Sequence, residues 1–289
     1  MLQDEKNIGD LSKIYKAELT QSDFNRLGKF IINEFGIKMP PEKKTMLQSR
    51  LQKRLRALKM NNFKDYLKYL FSNDGMTNEV IHMIDVVSTN KTDFFRESAH
   101  FDYMKTEALP TIIGKNKMRN IKMWSAGCSS GEEPYTMAIT TSEFLSNNTG
   151  VTYSILATDI STSVLKTAYN AIYNEERINE IPLHIKRKYF LRSKNREEMK
   201  VKLINDIRNK VTFKRQNFLE LNNLASPEYH IIFCRNALIY FDRPTQLKIL
   251  KSLCNSLYKG GYLFLGHSES ITDLDLPIKN TIPSTYIKI

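Results

Sequence analysis

Apolar residues in the first third of the chain recur with the period of a helix, and this pattern runs from Gln21 to about Leu109. Gln21-Ser22-Asp23 offers a helix start ahead of Phe24, Leu27, Phe30, Ile31 and Phe35, and Gly36 is placed to end that helix. Pro40-Pro41-Glu42 opens a second helix, because proline is tolerated in a first turn. There Leu47, Leu51, Leu55 and Leu58 form one stripe at spacings of four, four and three. Arg50, Lys53 and Arg56 fall off that stripe and Arg54 lies at its edge. Asn61 and Asn62 break the pattern, and Phe63, Tyr66, Leu67 and Leu70 predict a third, short helix. The polar first 20 or so residues read as a frayed extension.

After Met118 the pattern changes. Ile121 to Ala126 predicts a strand, followed by a glycine-bearing turn and a helix from about Glu133 to Leu145. Tyr153 to Thr158 predicts a second strand ending at Asp159, and Ser161 to Ala171 a second helix. His230 to Cys234 is a fully apolar strand, Pro244 to Tyr258 a helix, and Tyr262 to Leu265 a strand entered through Gly260-Gly261. Such alternation implies a parallel sheet covered on both faces. Thr285 to Ile289 predicts a final edge strand. The charged stretch from about 172 to 213 interrupts the alternation. Its two alternating runs, Met199 to Leu203 and Lys210 to Phe213, predict an inserted small β subdomain.

Composition narrows the class. Of the 289 residues, 41% are hydrophobic and 26% charged, which is globular and not disordered. The net charge of +12 favours an acidic partner: nucleic acid, an anionic membrane surface or an acidic protein. Three widely spaced cysteines form no CxxC pair, which argues against a disulfide framework or zinc site and suits a reducing, cytoplasmic compartment. The polar N-terminus does not read as a secretory leader, and no apolar run approaches the ~20 residues of a membrane span. The five histidines show no ligand spacing, so no metal is expected.

The chemistry concentrates at Trp124-Ser125-Ala126-Gly127-Cys128-Ser129-Ser130-Gly131-Glu132-Glu133-Pro134. A strand running into a tight Gly-x-x-x-Gly turn and a helix brings backbone close to a ligand at the carboxyl end of a sheet. Glu132 and Glu133 suit the helix dipole but would repel a phosphate, and a ligand with a cationic amino group and a sulfonium fits them better. The same residues also read as a glycine turn with acidic helix capping. Asp159, ending the second strand, can accept both ribose hydroxyls of an adenosine-containing cofactor or cap the following helix. In Asn90-Lys91-Thr92-Asp93-Phe94-Phe95-Arg96 the paired phenylalanines cannot share one helix face, and Arg96 is either a carboxylate anchor or a surface arginine. Polar residues straight after the apolar strand, Arg235 and Asn236, point into the cleft. Tyr240 either packs in the core or borders the reacting group, and Cys234, with no base beside it, reads as a packed thiol.

The ordered set resembles the CheR family of chemotaxis protein methyltransferases. It comprises Asn-x-Thr-x-Phe-Phe-Arg-Glu at 90–97, Trp-Ser-Ala-Gly-Cys-Ser-Ser-Gly-Glu-Glu-Pro-Tyr at 124–135, Ala-Thr-Asp-Ile-Ser at 157–161, Asn217-Phe218-Leu219, Phe-Cys-Arg-Asn-Ala-Leu-Ile-Tyr-Phe at 233–241 and Gly-His-Ser-Glu-Ser at 266–270. Lys44 to Lys59 also resembles the family's N-terminal domain. The resemblance implies an all-α domain over 21–88 and, over 89–289, a Rossmann-like class I methyltransferase domain of α/β type carrying the β subdomain. It implies S-adenosylmethionine as cofactor, S-adenosylhomocysteine as product, and contacts to them from Asn90, Thr92, Arg96, Ala126, Gly127, Glu132, Asp159, Asn217, Phe218, Arg235 and Asn236. Arg96 and Tyr240 would lie nearest the reacting methyl. The family methylates glutamates on long chemoreceptor helices, on which a basic helix is thought to dock; Arg50, Lys53, Arg54 and Arg56 match that helix, and also read as a solvated charged face.

Two departures stand out. Ser193 to Glu198 carries none of the glycines with which some members bind a receptor's C-terminal peptide by strand addition. His230 stands where an acidic residue is usual. The competing classes are a nucleic-acid methyltransferase, a nicotinamide oxidoreductase and a non-catalytic cofactor-binding module. The first predicts an Asn/Asp-Pro-Pro-Tyr or Pro-Cys motif and the second a Gly-x-Gly-x-x-Gly/Ala turn, and all three motifs are missing. Nothing in the sequence demands more than a monomer.

Overall fold

The computed structural model describes residues 17–116, 119–146, 148, 150–223, 228–269, 271 and 275–289. Most of the expected N-terminal extension therefore lies outside the described residues. The chain divides into two units, Met1–Thr89 and Asn90–Ile289.

The first unit is built from helices whose ends are specified locally. In α1 (Gln21–Phe35) the Thr20 hydroxyl accepts the Asp23 N–H, and Gly36 closes the helix in the left-handed conformation. α2 (Lys44–Leu58) follows a single 3-10 turn at Pro41–Lys43 and buries Leu47, Leu51 and Leu55. α3 (Phe63–Leu70) is capped by Asn62 and buries Phe63, Tyr66, Leu67 and Leu70. α4 (Asn73–Asn78) and α5 (Val80–Val87) complete the unit. Except for Phe30 and Leu58, which are half-buried, the residues of each stripe read from the sequence form the face turned to the core.

In the second unit, α6 (Ala99–Tyr103) continues through a π turn at Met104–Ala108 into α7 (Leu109–Asn116). Then come β1 (Asn120–Ala126), α8 (Glu132–Leu145), β2 (Thr152–Asp159) and α9 (Thr162–Asn170). An insertion follows: β3 (Ile172–Asn174), α10 (Leu183–Tyr189), β4 (Phe190–Arg192), β5 (Lys200–Leu203) and α11 (Asn205–Arg208). The remainder is β6 (Val211–Arg215), β7 (Tyr229–Cys234), α12 (Arg243–Ser256), β8 (Leu257–Leu265), β9 (Ile278–Ile282) and β10 (Thr285–Lys288).

The main sheet has the order β6-β2-β1-β7-β8-β10-β9. β6, β2, β1, β7 and β8 run parallel, and β10 pairs antiparallel with both β8 and β9. This is a Rossmann-like sheet, mixed through its last hairpin. β7 is buried at all six positions, as its unbroken apolar run requires for a central parallel strand. His230, the departure from the family pattern, is satisfied there: its Nδ1 accepts the Lys122 N–H at 3.1 Å and its ring packs on Tyr258.

Two expectations need correction. Val211 to Phe213 does not belong to the inserted subdomain; it pairs in register with Ile155 to Ala157 as an outer strand of the main sheet. The insertion's own sheet is three-stranded, in the order β3-β5-β4. Nor is the strand from Thr285 at the edge: β9 lies outside it. β9 has no buried position, so it carries no apolar signal in the sequence. Among the described residues, no helix is long and apolar enough to cross a membrane.

Candidate active site

The carboxyl ends of β1, β2 and β7 converge on one cleft. At the end of β1 the chain folds back on β2, with the Gly127 and Cys128 N–H groups donating to the Thr158 carbonyl at 2.8 and 2.9 Å. Gly127 has φ +85°, and a Cβ there would lie 3.2 Å from the Ala237 Cβ. Gly131 has φ +97°, and a Cβ would lie 2.8 Å from the Ala168 Cβ and 3.0 Å from the Tyr173 hydroxyl. Both positions favour glycine by conformation, and Gly131 needs it for space as well. Asp159 stands across the turn, its carboxylate accepting the Ser129 N–H at 2.9 Å and the Ser161 N–H at 3.0 Å. Ser161, not Asp159, is the cap of α9, through the Val164 N–H.

The segment 90–97 is strapped across this turn. The Ser129 hydroxyl donates to the Asn90 carbonyl at 2.9 Å, and the Phe95 N–H donates to the Thr136 hydroxyl at 3.2 Å. The adjacent phenylalanines meet different rings of one core cluster. Phe94 is buried edge-on against Tyr173 and Phe190, while Phe95 meets Phe101. Phe95 and Glu97 both take φ +55°, a left-handed conformation uncommon for residues with a Cβ. Thr92 is buried, and Arg96 is half-buried with its guanidinium donating to the Lys91 carbonyl.

Charged groups line the cleft in pairs. The buried Glu132 carboxylate is bound by the Arg177 guanidinium on one oxygen and by the Ser130 hydroxyl on the other, at 2.7 Å. Arg177 also donates to the Thr92 carbonyl at 2.7 Å and lies 3.4 Å from Asp93. Arg235 is buried among Phe101 and Phe233; it donates to the Arg96 carbonyl and lies 3.2 Å from Glu97 and 3.7 Å from Glu133. Burial pushes the Glu133 carboxyl above its ordinary value, against the pull of Arg235 and the Ser125 hydroxyl. Asn236, at φ +58°, donates its side-chain amide to Glu97 at 3.3 Å. Buried Glu269 accepts three backbone N–H groups: Gly266 at 2.6 Å, Asn236 at 3.0 Å and Leu238 at 2.6 Å. Burial raises its pKa while these donors oppose the rise.

On the remaining wall, Asn217 is buried with its side-chain oxygen accepting the Leu219 N–H, and the Phe218 ring packs against Phe241 near Gly127. Tyr240 is half-buried beside the core cluster of β7 and β8. The three cysteines are free and buried, and burial pushes the Cys128 and Cys234 thiols well up, away from the thiolate a nucleophile needs.

Some site residues escape a reading of the sequence. Glu97 and Glu269 sit inside the quoted motifs, where an acid beside a polar loop is the available signal. Arg177 has none, because its partners lie 45 and 85 residues away in sequence. The histidines show no ligand spacing, yet the fold brings candidate ligand atoms of Glu97, His100 and His267 within 4.8 Å of one another. Arg235 already matches the Glu97 charge there.

The four basic residues of α2 lie in the first unit, and two are committed inside it. Arg50 donates to the carbonyls of Val87 and Ser88 at the end of α5 and to the Thr89 hydroxyl. Arg54 grips the buried Glu79 carboxylate with two hydrogen bonds, 2.8 and 2.7 Å long, and Tyr66 adds a third at 3.1 Å. Both guanidiniums are thus engaged by groups of their own unit. Lys53 is exposed and Arg56 half-buried.

Comparison with known proteins places this geometry. Residues 90–286 match the family model described as CheR methyltransferase, SAM binding domain, and residues 22–88 match CheR methyltransferase, all-alpha domain. The chemotaxis protein methyltransferase of Borreliella burgdorferi is 39% identical over 93% of this chain and 95% of its own length. Chemotaxis protein methyltransferase 2 of Pseudomonas aeruginosa is 33% identical over 92% and 93%. The chemotaxis protein methyltransferase of Escherichia coli is 34% identical over 90% and 88%.

Proposed function

The chain belongs to the CheR methyltransferase family, and from that premise we propose that it methylates glutamate side chains on the cytoplasmic helical domains of chemoreceptors, forming glutamyl methyl esters during chemotactic adaptation. The broader activity, S-adenosylmethionine-dependent methylation in chemotaxis, comes with the family.

The cleft fits this cofactor. Its acidic side chains (Glu132, Glu133, Asp159, Glu97) suit a ligand with an ammonium and a sulfonium and oppose a phosphate. Arg235 carries buried Nε and Nη1 atoms with no hydrogen-bond partner among the described residues, which leaves donors for a carboxylate or other acceptor. We assign Asp159 to the ribose hydroxyls, Glu132 to the ammonium, and Asn90, Thr92, Ala126, Gly127, Asn217, Phe218, Arg235 and Asn236 to the remaining surface of the cofactor. Arg96 and Tyr240 are assigned to the reacting end.

When bound, the cofactor supplies a methyl group on a sulfonium sulfur, open to displacement by a carboxylate. A glutamate side chain is ionised near neutral pH, so the chain needs no general base. Its residues have two tasks: to hold the glutamate carboxylate in line with the sulfur, and to strip water from it. Arg96 can pair with the incoming carboxylate, and the Tyr240 ring can narrow the approach. The observation that carries the reading is the convergence of the 90–97, 126–132 and 235–240 segments at the ends of the parallel strands.

The test is methyl transfer from radiolabelled S-adenosylmethionine to a purified chemoreceptor cytoplasmic fragment. Label that is released as methanol on mild base treatment, and lost when the receptor's methylation-region glutamates become alanine, is the expected result. Label that survives base, or that enters duplex DNA instead, would refute it.

A further inference from the structure

We infer that Arg177, supplied by the inserted subdomain, is a positioning residue for the amino-acid end of the cofactor. The inference rests on the assignment of Glu132 to the ammonium. Glu132 is 1% exposed, and a carboxylate so buried needs a counter-charge to stay ionised. Arg177 meets it directly. The same guanidinium holds the Thr92 carbonyl at 2.7 Å and approaches Asp93 at 3.4 Å, so one side chain fixes both the helix-start carboxylate and the strap across the glycine turn.

Charge counting favours a cationic ligand. Glu132 and Asp93 carry two negative charges against the single positive charge of Arg177, leaving room for one more cation. A carboxylate offers about four acceptor positions. Arg177 and Ser130 take two of them, so an ammonium can still be received.

The insertion grips this corner independently of Arg177. The Tyr173 hydroxyl donates to the Ser130 carbonyl at 2.7 Å, and Phe94 of the strap packs between Tyr173 and Phe190. The inserted subdomain therefore forms a wall of the cofactor cleft, and its contribution to specificity passes through Arg177.

The test compares two ligands by calorimetry: S-adenosylhomocysteine, which has the ammonium, and 5′-methylthioadenosine, which lacks the amino-acid tail. Wild type, Arg177→Met, Arg177→Lys, Glu132→Gln and the Met/Gln double variant are titrated with each. Arg177→Met is expected to weaken S-adenosylhomocysteine roughly 10-fold or more, with methylthioadenosine affinity held within about twofold. Arg177→Lys should recover part of the loss, and the double variant should be no weaker than Glu132→Gln alone. Equal weakening of both ligands by Arg177→Met and Arg177→Lys, or unchanged S-adenosylhomocysteine binding, overturns the inference. If Glu132→Gln discriminates the ligands and Arg177→Met does not, only the role of Arg177 falls. If Glu132→Gln fails to discriminate them, the ammonium assignment falls with it.

Discussion

Replacing Glu269 by glutamine is a severe test of how the cleft is held. The carboxylate accepts Gly266 and Asn236 N–H groups at Oε2 and the Leu238 N–H at Oε1. A glutamine of the same shape keeps one acceptor oxygen and turns the other into an N–H donor. Its better orientation puts oxygen against Gly266 and Asn236 and leaves Leu238 facing the new donor. One buried N–H is then orphaned, at roughly 1–3 kcal/mol, and two charge-assisted bonds become neutral ones, at about 1 kcal/mol each. The sum is about 3–5 kcal/mol. For a unit of this size, at about 2–4 °C per kcal/mol, the melting temperature should fall by roughly 6–20 °C. Because Asn236 adjoins Arg235, S-adenosylhomocysteine affinity should fall too. Thermal denaturation with and without that ligand measures both effects. A Glu269→Gln protein within about 1 kcal/mol of wild type and with unaltered affinity would show that the 266–269 loop does not hold the 235–238 loop in place.

Three further outcomes follow from the same geometry. Gly131→Ala combines an unfavourable φ with a 2.8 Å approach to Ala168, so it should destabilise the protein by about 2–4 kcal/mol, measured by urea titration; a neutral effect would mean the turn relaxes freely. Asp159→Ala removes the proposed ribose acceptor and should weaken S-adenosylhomocysteine about 10-fold or more, by calorimetry, and unchanged affinity would refute the ribose assignment. Burial and the Arg235 charge hold the His100 pKa down to about 4, so the unfolded chain takes up this proton first on acidification. Stability should therefore decline between pH ~6.5 and ~4, by on the order of 2 kcal/mol through this residue. His100→Asn should show a shallower decline in pH-dependent denaturation, and parallel curves would exclude the linkage.

Most of the sheet and the helical stripes were readable because burial follows the period of the element. Tyr229 to Cys234 is apolar but for His230 since β7 is covered on both faces. β9 was not readable, because its positions are half-buried or exposed. Val211 to Phe213 alternates like the subdomain strands, and only its register with β2 assigns it to the main sheet. In the site, the backbone-shaping glycines and the carboxylates at strand ends stand out by position. Arg177, Arg50 and Arg54 do not, because an arginine's partner is chosen by the tertiary fold, and the sequence shows only that a cation is present.

The contrast between a basic chain and an acidic cleft has a practical consequence for kinetics. A net charge of +12 would draw the acidic receptor helices proposed above as substrate, an attraction that dissolved ions shield within about 10 Å at 0.1 M. The Glu132 carboxylate, 1% exposed, is sequestered from those ions. Raising ionic strength should therefore increase the Michaelis constant for the protein substrate steeply while leaving that for the methyl donor almost flat, so a salt series alone can separate the two binding events.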